Sequence, residues 1–437
     1  MKWKNLIPKG KFAKNVGVLA GGTAFSQLII ILSTPILTRI YSPEEFGVYS
    51  VYLSILSILV VIGSLLYEMA IPLPLPNNNK EAINVLALCF ILILLFSILH
   101  FSIFTLFAEN IAYFLNTPTL AGALWLIPIA FIGGSTFQAV HYWSIRTETF
   151  KNISITKLNQ STIQVLSQII LGFNKLGKTG LLIGDVIGRL VAGITITILS
   201  FRHEKALLKE VSWHQIRKTA SRYRRFPMLS SGSALLNSVS LQLPALLLTA
   251  FYGPIVVGLY ILAQRILGLP IAIIGGAVSE VYLAEASKIN KSDERAIRHL
   301  FWKTFKSIAL ISVVFITTLA VFAPPLFAFV FGDEWKQAGV YLQLLAIMYF
   351  FQFVSAPVGS NIPVFERQDF HLYREVIRIL LLLITLVFAN WLNVTATTAI
   401  LMLSIAGTFG YIIHTFFSWY AMERHFSLKN KEQNNEY

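Results

Sequence analysis

Apolar residues in this chain are grouped in runs of about 20 residues, separated by short polar segments. A helix of about 20 apolar residues crosses a bilayer, and these runs lack the alternating pattern of β-barrel strands. The pattern therefore predicts an all-α polytopic membrane protein with twelve transmembrane helices. The predicted spans are 16–40, 46–71, 82–107, 120–143, 158–173, 179–201, 227–251, 255–284, 305–331, 338–360, 372–391 and 396–421.

Composition supports this class. Of the 437 residues, 55% are apolar and only 13% are charged, whereas a soluble domain carries about 25% charged residues. The single cysteine, Cys89, cannot form an internal disulfide, and the sequence contains no P-loop, GxSxG or HExxH motif. We therefore predict no metal site, no cofactor and no enzymatic activity.

The net charge of +14 comes from basic residues on one side of the predicted membrane. With the N-terminus placed inside, the inner segments hold 28 Lys and Arg, and the outer loops hold three, Lys175, Lys178 and Lys336. This asymmetry follows the positive-inside rule and predicts that both termini are cytoplasmic. Because topology accounts for the charge, we expect no nucleic-acid partner.

Two segments at equivalent topological positions resemble each other. YSPEEFGVY at 41–49 recurs as YGPIVVGLY at 252–260, and each copy joins the first and second predicted span of one half. Two halves with the same orientation imply a pseudo-two-fold axis along the membrane normal. We therefore predict an N-terminal six-helix lobe, a basic cytoplasmic linker, a C-terminal six-helix lobe and a cytoplasmic tail, at 1–201, 202–225, 226–421 and 422–437.

Arg265 lies about eleven residues into an apolar run and therefore about 17 Å from its end, near the middle of a bilayer. A guanidinium at that depth is costly and must face a protein interior or a water-filled cavity. The equivalent position in the first half is Ser54, so the fold itself does not require an arginine there. We predict that Arg265 contacts an anion in transit; the alternative is an arginine buried only for packing.

Asp185 and Arg189 occupy positions i and i+4 of the sixth predicted span and therefore share one helix face. Arg189 is a candidate anion ligand at a depth similar to that of Arg265, and Asp185 is a candidate ion-coupling or gating residue. The alternative is an intrahelical ion pair that neutralises both charges. Gly184 and Gly188 form a GxxxG motif around the pair, so a neighbouring helix is expected to approach closely.

Glu68 and Glu280 occupy almost the same place in the two repeats, near the inner end of each second span. They are candidates for an inner gate or for a cation-coupling site. The alternative is a pair of interfacial carboxylates that bond to basic loops.

Three segments resemble bacterial polysaccharide flippases. They are LTRIYSPEEFGVY at 37–49, YEMAIPLP at 67–74 and GLYILAQRILGLP at 258–270. Span count, repeat and orientation extend the resemblance over essentially the whole chain. The family is the O-antigen and capsule repeat-unit flippase branch of the multidrug/oligosaccharidyl-lipid/polysaccharide exporter superfamily.

The resemblance implies two six-helix lobes around a central cavity in the bacterial inner membrane. It implies that a polyprenyl-diphosphate-linked oligosaccharide moves from the cytoplasmic to the outer leaflet by alternating access, with proton or sodium coupling. Arg265 and Arg189 would bind the diphosphate, and membrane lipids would be the other partners. The only arginine of the first span, Arg39, lies near its outer end, unlike in flippases of the lipid-linked peptidoglycan precursor, which argues against that substrate.

Two other functions stay open at this point. A multidrug or cation antiporter of the same superfamily would favour carboxylates, whereas the deepest charges here include two arginines. A membrane-embedded glycosyltransferase or polymerase would need a sizeable outer loop or a constellation of metal ligands or acids, and the sequence shows neither.

Overall fold

The computed structural model describes residues 11–75, 77–202, 204–289, 293–365 and 367–435, and every regular element among them is helical. The α-helices are α1 (Lys11–Ile40), α2 (Pro43–Val61), α3 (Asn79–Leu106), α4 (Ala108–Phe114), α5 (Leu126–Arg146), α6 (Phe150–Phe173), α7 (Lys178–Phe201), α8 (Trp213–Arg222), α9 (Ser231–Tyr252), α10 (Pro254–Pro270), α11 (Gly276–Lys288), α12 (Glu294–Phe331), α13 (Lys336–Val358), α14 (Asn361–Val364), α15 (Gln368–Trp391) and α16 (Ala396–Asn435). Shorter 3₁₀-helices lie at Tyr67–Ala70, Pro118–Ala123, Lys205–Glu210 and Asp333–Trp335, and π-helices at Phe226–Ser230 and Ile271–Gly275. The predicted all-α fold class is confirmed.

The chain forms two compact units, Met1–Gln242 and Leu243–Tyr437. In the first unit α7 packs against α5 and α6, while α1 packs against α6 and α3 against α5. In the second unit α13 packs against α10, α12 and α16, and α15 packs against α16. The division falls inside α9, after the linker predicted from the sequence.

Nine of the helical segments in the described ranges are long and apolar enough to cross a membrane. The predicted spans 120–143, 158–173 and 372–391 also coincide with helices, namely α5, α6 and α15, but these helices do not reach the same apolarity. A multi-pass membrane protein is therefore confirmed, and the count of twelve crossings stays a prediction.

The surface of α3 shows what surrounds these helices. Leu94, Leu95, Ile98 and Phe101 are each more than half exposed, whereas Leu86 on the same helix is buried. Large contiguous apolar surfaces are rare on proteins that face water. The outward side of α3 is therefore suited to contact with lipid chains.

The repeated nine-residue motif marks the start of the second helix in each unit. Ser42 and Glu45 form a capping box, in which the Ser42 hydroxyl accepts from the Glu45 amide and the Glu45 carboxylate accepts from the Ser42 amide at 2.8 Å. Pro43 is the first residue of α2. In the second copy Gly253, at φ +85°, precedes Pro254, the first residue of α10. The motif therefore sets two helix starts, because proline at the first helical position is preorganised for the helix.

Beyond this start the second helices differ. α2 ends at Val61 rather than at the predicted residue 71, and turns follow in which Leu65 and Leu66 have φ values of +53° and +60°. The 3₁₀-helix Tyr67–Ala70 comes next. In the second unit α10 instead continues through the π-helix Ile271–Gly275 into α11. The repeat is therefore preserved at the helix starts and lost at the opposite ends.

Glycines let α5 and α7 touch. A Cβ atom at Gly133 of α5 would lie 2.6 Å from the main-chain carbonyl of Arg189, and one at Gly193 of α7 would lie 3.0 Å from the Gly133 oxygen. The two backbones are thus in direct contact, which fixes Arg189 against α5.

Replacing Gly133 with alanine should destabilise the protein, because the added methyl group forces the two backbones apart. Overpacking of this kind typically costs about 1–3 kcal/mol. Thermal unfolding of the purified protein should show a lower midpoint. The control is Gly268→Ala, where a Cβ would meet no neighbouring atom within 4 Å. Equal midpoints for the two variants would contradict the helix contact.

Candidate functional site

Asp185 and Arg189 form a buried ion pair on α7. The Arg189 Nε donates to Asp185 Oδ2 at 2.6 Å, and the side chains are 21% and 2% exposed respectively. The i, i+4 spacing in the sequence made this pairing one of two alternatives, and the structure shows that the pair forms. Each charge thereby offsets much of the cost of burying the other.

Two tyrosines of α2 complete the surroundings of Asp185. The Tyr52 hydroxyl donates to Asp185 Oδ2 at 3.1 Å, and the Tyr49 hydroxyl donates to Oδ1 at 3.4 Å. Gln164 of α6 donates to the Tyr49 oxygen at 3.1 Å. The carboxylate is therefore held by a guanidinium and two hydroxyls, which leaves it little freedom to take up another cation in this conformation.

The predicted close approach at the GxxxG motif is observed between α7 and α6. A Cβ at Gly184 would lie 2.4 Å from the Gln168 side chain, and one at Gly188 would lie 2.7 Å from the Gln164 Cβ. The small residues thus bring the amides of α6 alongside the ion pair. This geometry is what allows Gln164 to reach Tyr49.

The other side of Arg189 lines a cavity of about 350 Å³ within the N-terminal unit. Its polar lining comes from α5, α6 and α7, namely Gln138, His141, Lys157, Gln160 and Arg189. The cavity therefore combines a guanidinium, an ammonium and an imidazole with two amides. Cations attract an anionic group, and amides can donate to or accept from hydroxyl groups.

Lys157 is the charged cavity residue that the sequence did not predict as part of the site, just as Gln138, His141 and Gln160 were not predicted. The sequence assigned it to an inner loop at 144–157, but α6 begins at Phe150, so Lys157 lies on its second turn. Its Nζ donates to Thr23 of α1 at 3.0 Å, and the Ser26 hydroxyl donates to its carbonyl at 2.9 Å. The polar residues at the start of α6 hid the helix, since their pattern is also typical of a loop.

Glu68 is 1% exposed and is linked to the same cavity. Gln138 Nε2 donates to Glu68 Oε1 at 2.7 Å, and Ser64 donates to the other carboxylate oxygen. No ion pair of Glu68 occurs within the part of the chain that the structure describes. Gln138 therefore joins a buried carboxylate on one side to the cavity on the other.

Glu280, which lies almost at the place of Glu68 in the second repeat, is exposed on α11. The two environments differ because α2 breaks after Val61 and turns Glu68 inward, whereas α10 continues into α11. The equivalence suggested by the repeat therefore extends to their positions in the sequence and not to their surroundings.

Arg265 lies on α10 in the C-terminal unit and is partly buried. On the same helix, the adjacent Gln264 donates to the Tyr260 hydroxyl at 2.7 Å. Ser54, its counterpart on α2, is buried. The two candidate arginines thus belong to different units, and the anion-binding role of each stays a prediction.

These features define a polytopic α-helical membrane protein with a cationic cavity inside one helical unit. A family model described as polysaccharide biosynthesis protein matches residues 36–340, and the chain belongs to this family. The resemblance seen in the sequence is thereby confirmed.

Curated relatives are also named for polysaccharide biosynthesis. The chain is 24% identical over 350 residues to the succinoglycan biosynthesis transport protein ExoT of Rhizobium meliloti (strain 1021), covering 76% of this chain and 65% of the relative. It is 22% identical over 353 residues to the lipopolysaccharide biosynthesis protein WzxC of Escherichia coli (strain K12), covering 79% of this chain and 69% of that relative. The matched region thus spans about two thirds of these relatives.

Solved structures show the same fold. An inward-facing multidrug resistance MATE family transporter of the MOP superfamily matches with a TM-score of 0.72 and 15% identity, covering 91% of this chain and 95% of that chain. The lipid II flippase MurJ in an inward closed conformation matches with a TM-score of 0.70 and 15% identity, covering 93% of this chain and 89% of that chain. At this identity the likeness establishes the fold.

Replacing Asp185 with asparagine should destabilise the protein, because it leaves the Arg189 guanidinium without its counter-charge. Asp185→Asn/Arg189→Gln should recover part of the loss, since both charges are then absent. Thermal unfolding of the wild type, both single variants and the double variant should give a coupling free energy of about 1–3 kcal/mol. Purely additive effects would show that the ion pair contributes no net stability.

Proposed function

We propose that the protein is a flippase that moves a polyprenyl-diphosphate-linked oligosaccharide repeat unit from the cytoplasmic to the outer leaflet by alternating access. Family membership and the names of the curated relatives support transport in polysaccharide biosynthesis. We propose transport without catalysis, in the bacterial inner membrane. The excess of basic residues on one side supports placing both termini in the cytoplasm.

The observation that carries the proposal is the cavity lined by Arg189, Lys157 and His141. Charged side chains in membrane proteins mark the paths of ions and substrates, because burying them without a purpose is costly. Arg189 keeps one nitrogen on Asp185, and its remaining guanidinium donors can bond a phosphate oxygen. Because Asp185 neutralises Arg189, Lys157 on α6 supplies the net positive charge of the cavity, and the remaining Arg189 donors add hydrogen bonds to phosphate oxygens. The cavity therefore suits an anionic diphosphate group.

The size of the cavity limits what it holds. Its volume of about 350 Å³ lies at the lower end of the range of about 300–1,000 Å³ that is usual for small-molecule sites. It can therefore take the diphosphate and the first sugar, with Gln138 and Gln160 as partners for sugar hydroxyls. The rest of the oligosaccharide must extend beyond it, and the polyprenyl chain stays in lipid.

Arg265 is the proposed anion contact of the C-terminal unit. The support is its place on a membrane-spanning helix and its partial burial. A guanidinium in that setting favours an anionic group over the cationic substrates of a drug antiporter.

Among the three candidate carboxylates, we propose that Glu68 binds the coupling cation. Asp185 already neutralises Arg189, and Glu280 is exposed. Glu68 is buried among neutral donors and shares Gln138 with the cavity. Neutral donors do not offset its charge, so a bound proton is the simplest way to keep it buried.

Lys157→Gln and Arg265→Ala should each lower flipping, because each removes a charge-assisted contact to the diphosphate. A loss of about 1.5–3 kcal/mol corresponds to roughly ten- to hundredfold weaker binding. The measurement is complementation of a strain lacking the gene, with the leaflet of undecaprenyl-linked repeat units read from their access to lectin added outside spheroplasts. The prediction is that repeat units accumulate on the cytoplasmic side.

The matched controls are Lys151→Gln, an exposed lysine on the same helix as Lys157, and Arg39→Gln, an exposed arginine near the end of α1. Both should support normal flipping. Wild-type flux in Lys157→Gln or Arg265→Ala at equal expression would remove the role assigned to that residue. Normal outer-leaflet display in the strain lacking the gene, combined with raised drug susceptibility, would instead favour the drug antiporter.

Glu68→Gln should abolish the dependence of transport on a pH gradient, because the neutral amide cannot exchange a proton. Vesicles that contain the protein and labelled undecaprenyl-diphosphate-linked sugar in their membrane are suitable for the measurement. The transfer of the sugar between the two leaflets is compared with and without an imposed pH gradient. Glu280→Gln is the control and should respond as the wild type does. A gradient response retained in Glu68→Gln would place the cation elsewhere, and a response to sodium alone would exclude proton coupling.

A further inference from the structure

The segment between α7 and α9 is firmly held on the N-terminal unit. The side chain of Asn84 on α3, which is fully buried, donates to the Glu210 carbonyl at 3.0 Å and accepts from the Ser212 amide at 3.0 Å. Ser212 in turn caps α8 by accepting from the Gln215 amide. The side-chain amide of Asn84 therefore fixes the start of α8.

The end of α8 is fixed as well. The Arg222 guanidinium contacts both carboxylate oxygens of Glu81 at 2.7 and 2.9 Å, and the Tyr223 hydroxyl donates to Glu81 at 2.9 Å. The Tyr67 hydroxyl donates to the Ala220 carbonyl at 3.0 Å. Burial, together with the bond to Glu81, raises the pKa of Tyr223 to about 12, so its hydroxyl stays a donor at neutral pH. α8 therefore presents one constant face outward.

That face is basic and carries an aromatic residue. Ile216 and Thr219 are buried against the unit, and at 100° per residue Arg217 and Lys218 lie on the opposite side, with Trp213 on the flank next to Arg217. Trp213 is 59% exposed, and the Arg217 guanidinium lies 5.4 Å from its ring centre. Arg224 and Arg225 follow directly and are exposed. We call Trp213, Arg217, Lys218, Arg224 and Arg225 the basic surface.

The cations of the basic surface are available to a partner. The residues from 211 to 225 include no Asp or Glu. Within the described ranges, the ion pairs of this region use Arg222 and Lys80, and none uses Arg217, Lys218, Arg224 or Arg225. The four charges are thus held on a rigid support without a neutralising carboxylate.

The basic surface lies at the level of the lipid headgroups. α8 follows a membrane-spanning helix that ends at Phe201 and precedes one that begins at Phe226, and it packs on the first turns of the spanning helix α3. These are the levels at which spans leave the hydrocarbon core and enter the headgroup layer. Tryptophan is enriched at this level, and lysine and arginine there are attracted to anionic lipids.

We propose that the basic surface binds the headgroups of anionic phospholipids in the leaflet on its own side of the membrane, which is the cytoplasmic leaflet in the predicted orientation. The phosphate groups contact Arg217, Lys218, Arg224 and Arg225, and the Trp213 ring lies among the glycerol and upper chain atoms. A soluble acidic partner would meet the same charges but would leave the indole ring in water. Lipid is therefore the occupant that satisfies both parts of the surface.

The test titrates the purified full-length protein in neutral detergent with phosphatidylglycerol or phosphatidylcholine, and counts bound lipids by native mass spectrometry. The wild type should prefer phosphatidylglycerol, and the preference should weaken as salt is raised. In Arg217→Gln/Lys218→Gln/Arg225→Gln each lost charge should weaken binding about fivefold, and the three together by on the order of a hundredfold.

The matched control removes three exposed basic residues near the start of α12, as Arg295→Gln/Lys303→Gln/Lys306→Gln. It should keep the wild-type preference. Arg217→Gln alone, with its smaller effect, serves if the triple variant unfolds. Equal loss in the two triple variants would show a general effect of charge, and unchanged binding in the first would show that the surface is not used. Either result overturns the proposal, as does tighter binding of a polyglutamate peptide than of phosphatidylglycerol.

Discussion

The cost of an unpaired charge away from water governs this structure. Asp185 and Arg189 are paired inside a helical unit, Asp185 also accepts hydrogen bonds from the hydroxyls of Tyr49 and Tyr52 on α2, and the amide of Gln164 on α6 donates to Tyr49. In a low-dielectric interior such a network is strong when it is complete and costly when one member is missing. The arrangement of α2, α6 and α7 follows from that requirement.

Close backbone packing is what makes the network possible. Glycines at positions 133, 184 and 188 remove the side chains that would separate α7 from α5 and α6. Small residues allow helices in membrane proteins to approach closely. At these short distances, side chains of ordinary length reach across the helix interface. The same contacts leave one side of Arg189 facing the cavity while the other side pairs with Asp185. The structure shows the ion pair, and the anion-binding role of Arg189 stays a prediction.

The sequence predicted what depends on local pattern. The all-α class, the helix starts at the repeated motif, the close approach at GxxxG and the potential for an Asp185–Arg189 pair all follow from spacing along one chain segment. Lys157 was assigned to a loop, and Gln138 and Tyr52 were not predicted as members of the site. These residues owe their roles to contacts between helices far apart in sequence, which periodicity does not report. The sequence also could not predict that Glu68 and Glu280 have different surroundings. They lie at almost the same place in the two repeats, but α2 ends at Val61, whereas α10 continues into α11.

The π-helix between α10 and α11 has a consequence for the second unit. A π-turn contains one residue more than an α-turn, and each residue of an α-helix turns its successors by 100°. Deleting a single residue there would rotate all of α11 and draw it about 1.5 Å along its axis. Tyr282, which donates to the Asn361 side chain in the buried core, would then point in another direction. One inserted residue thus sets the rotational register of everything that follows on that helix.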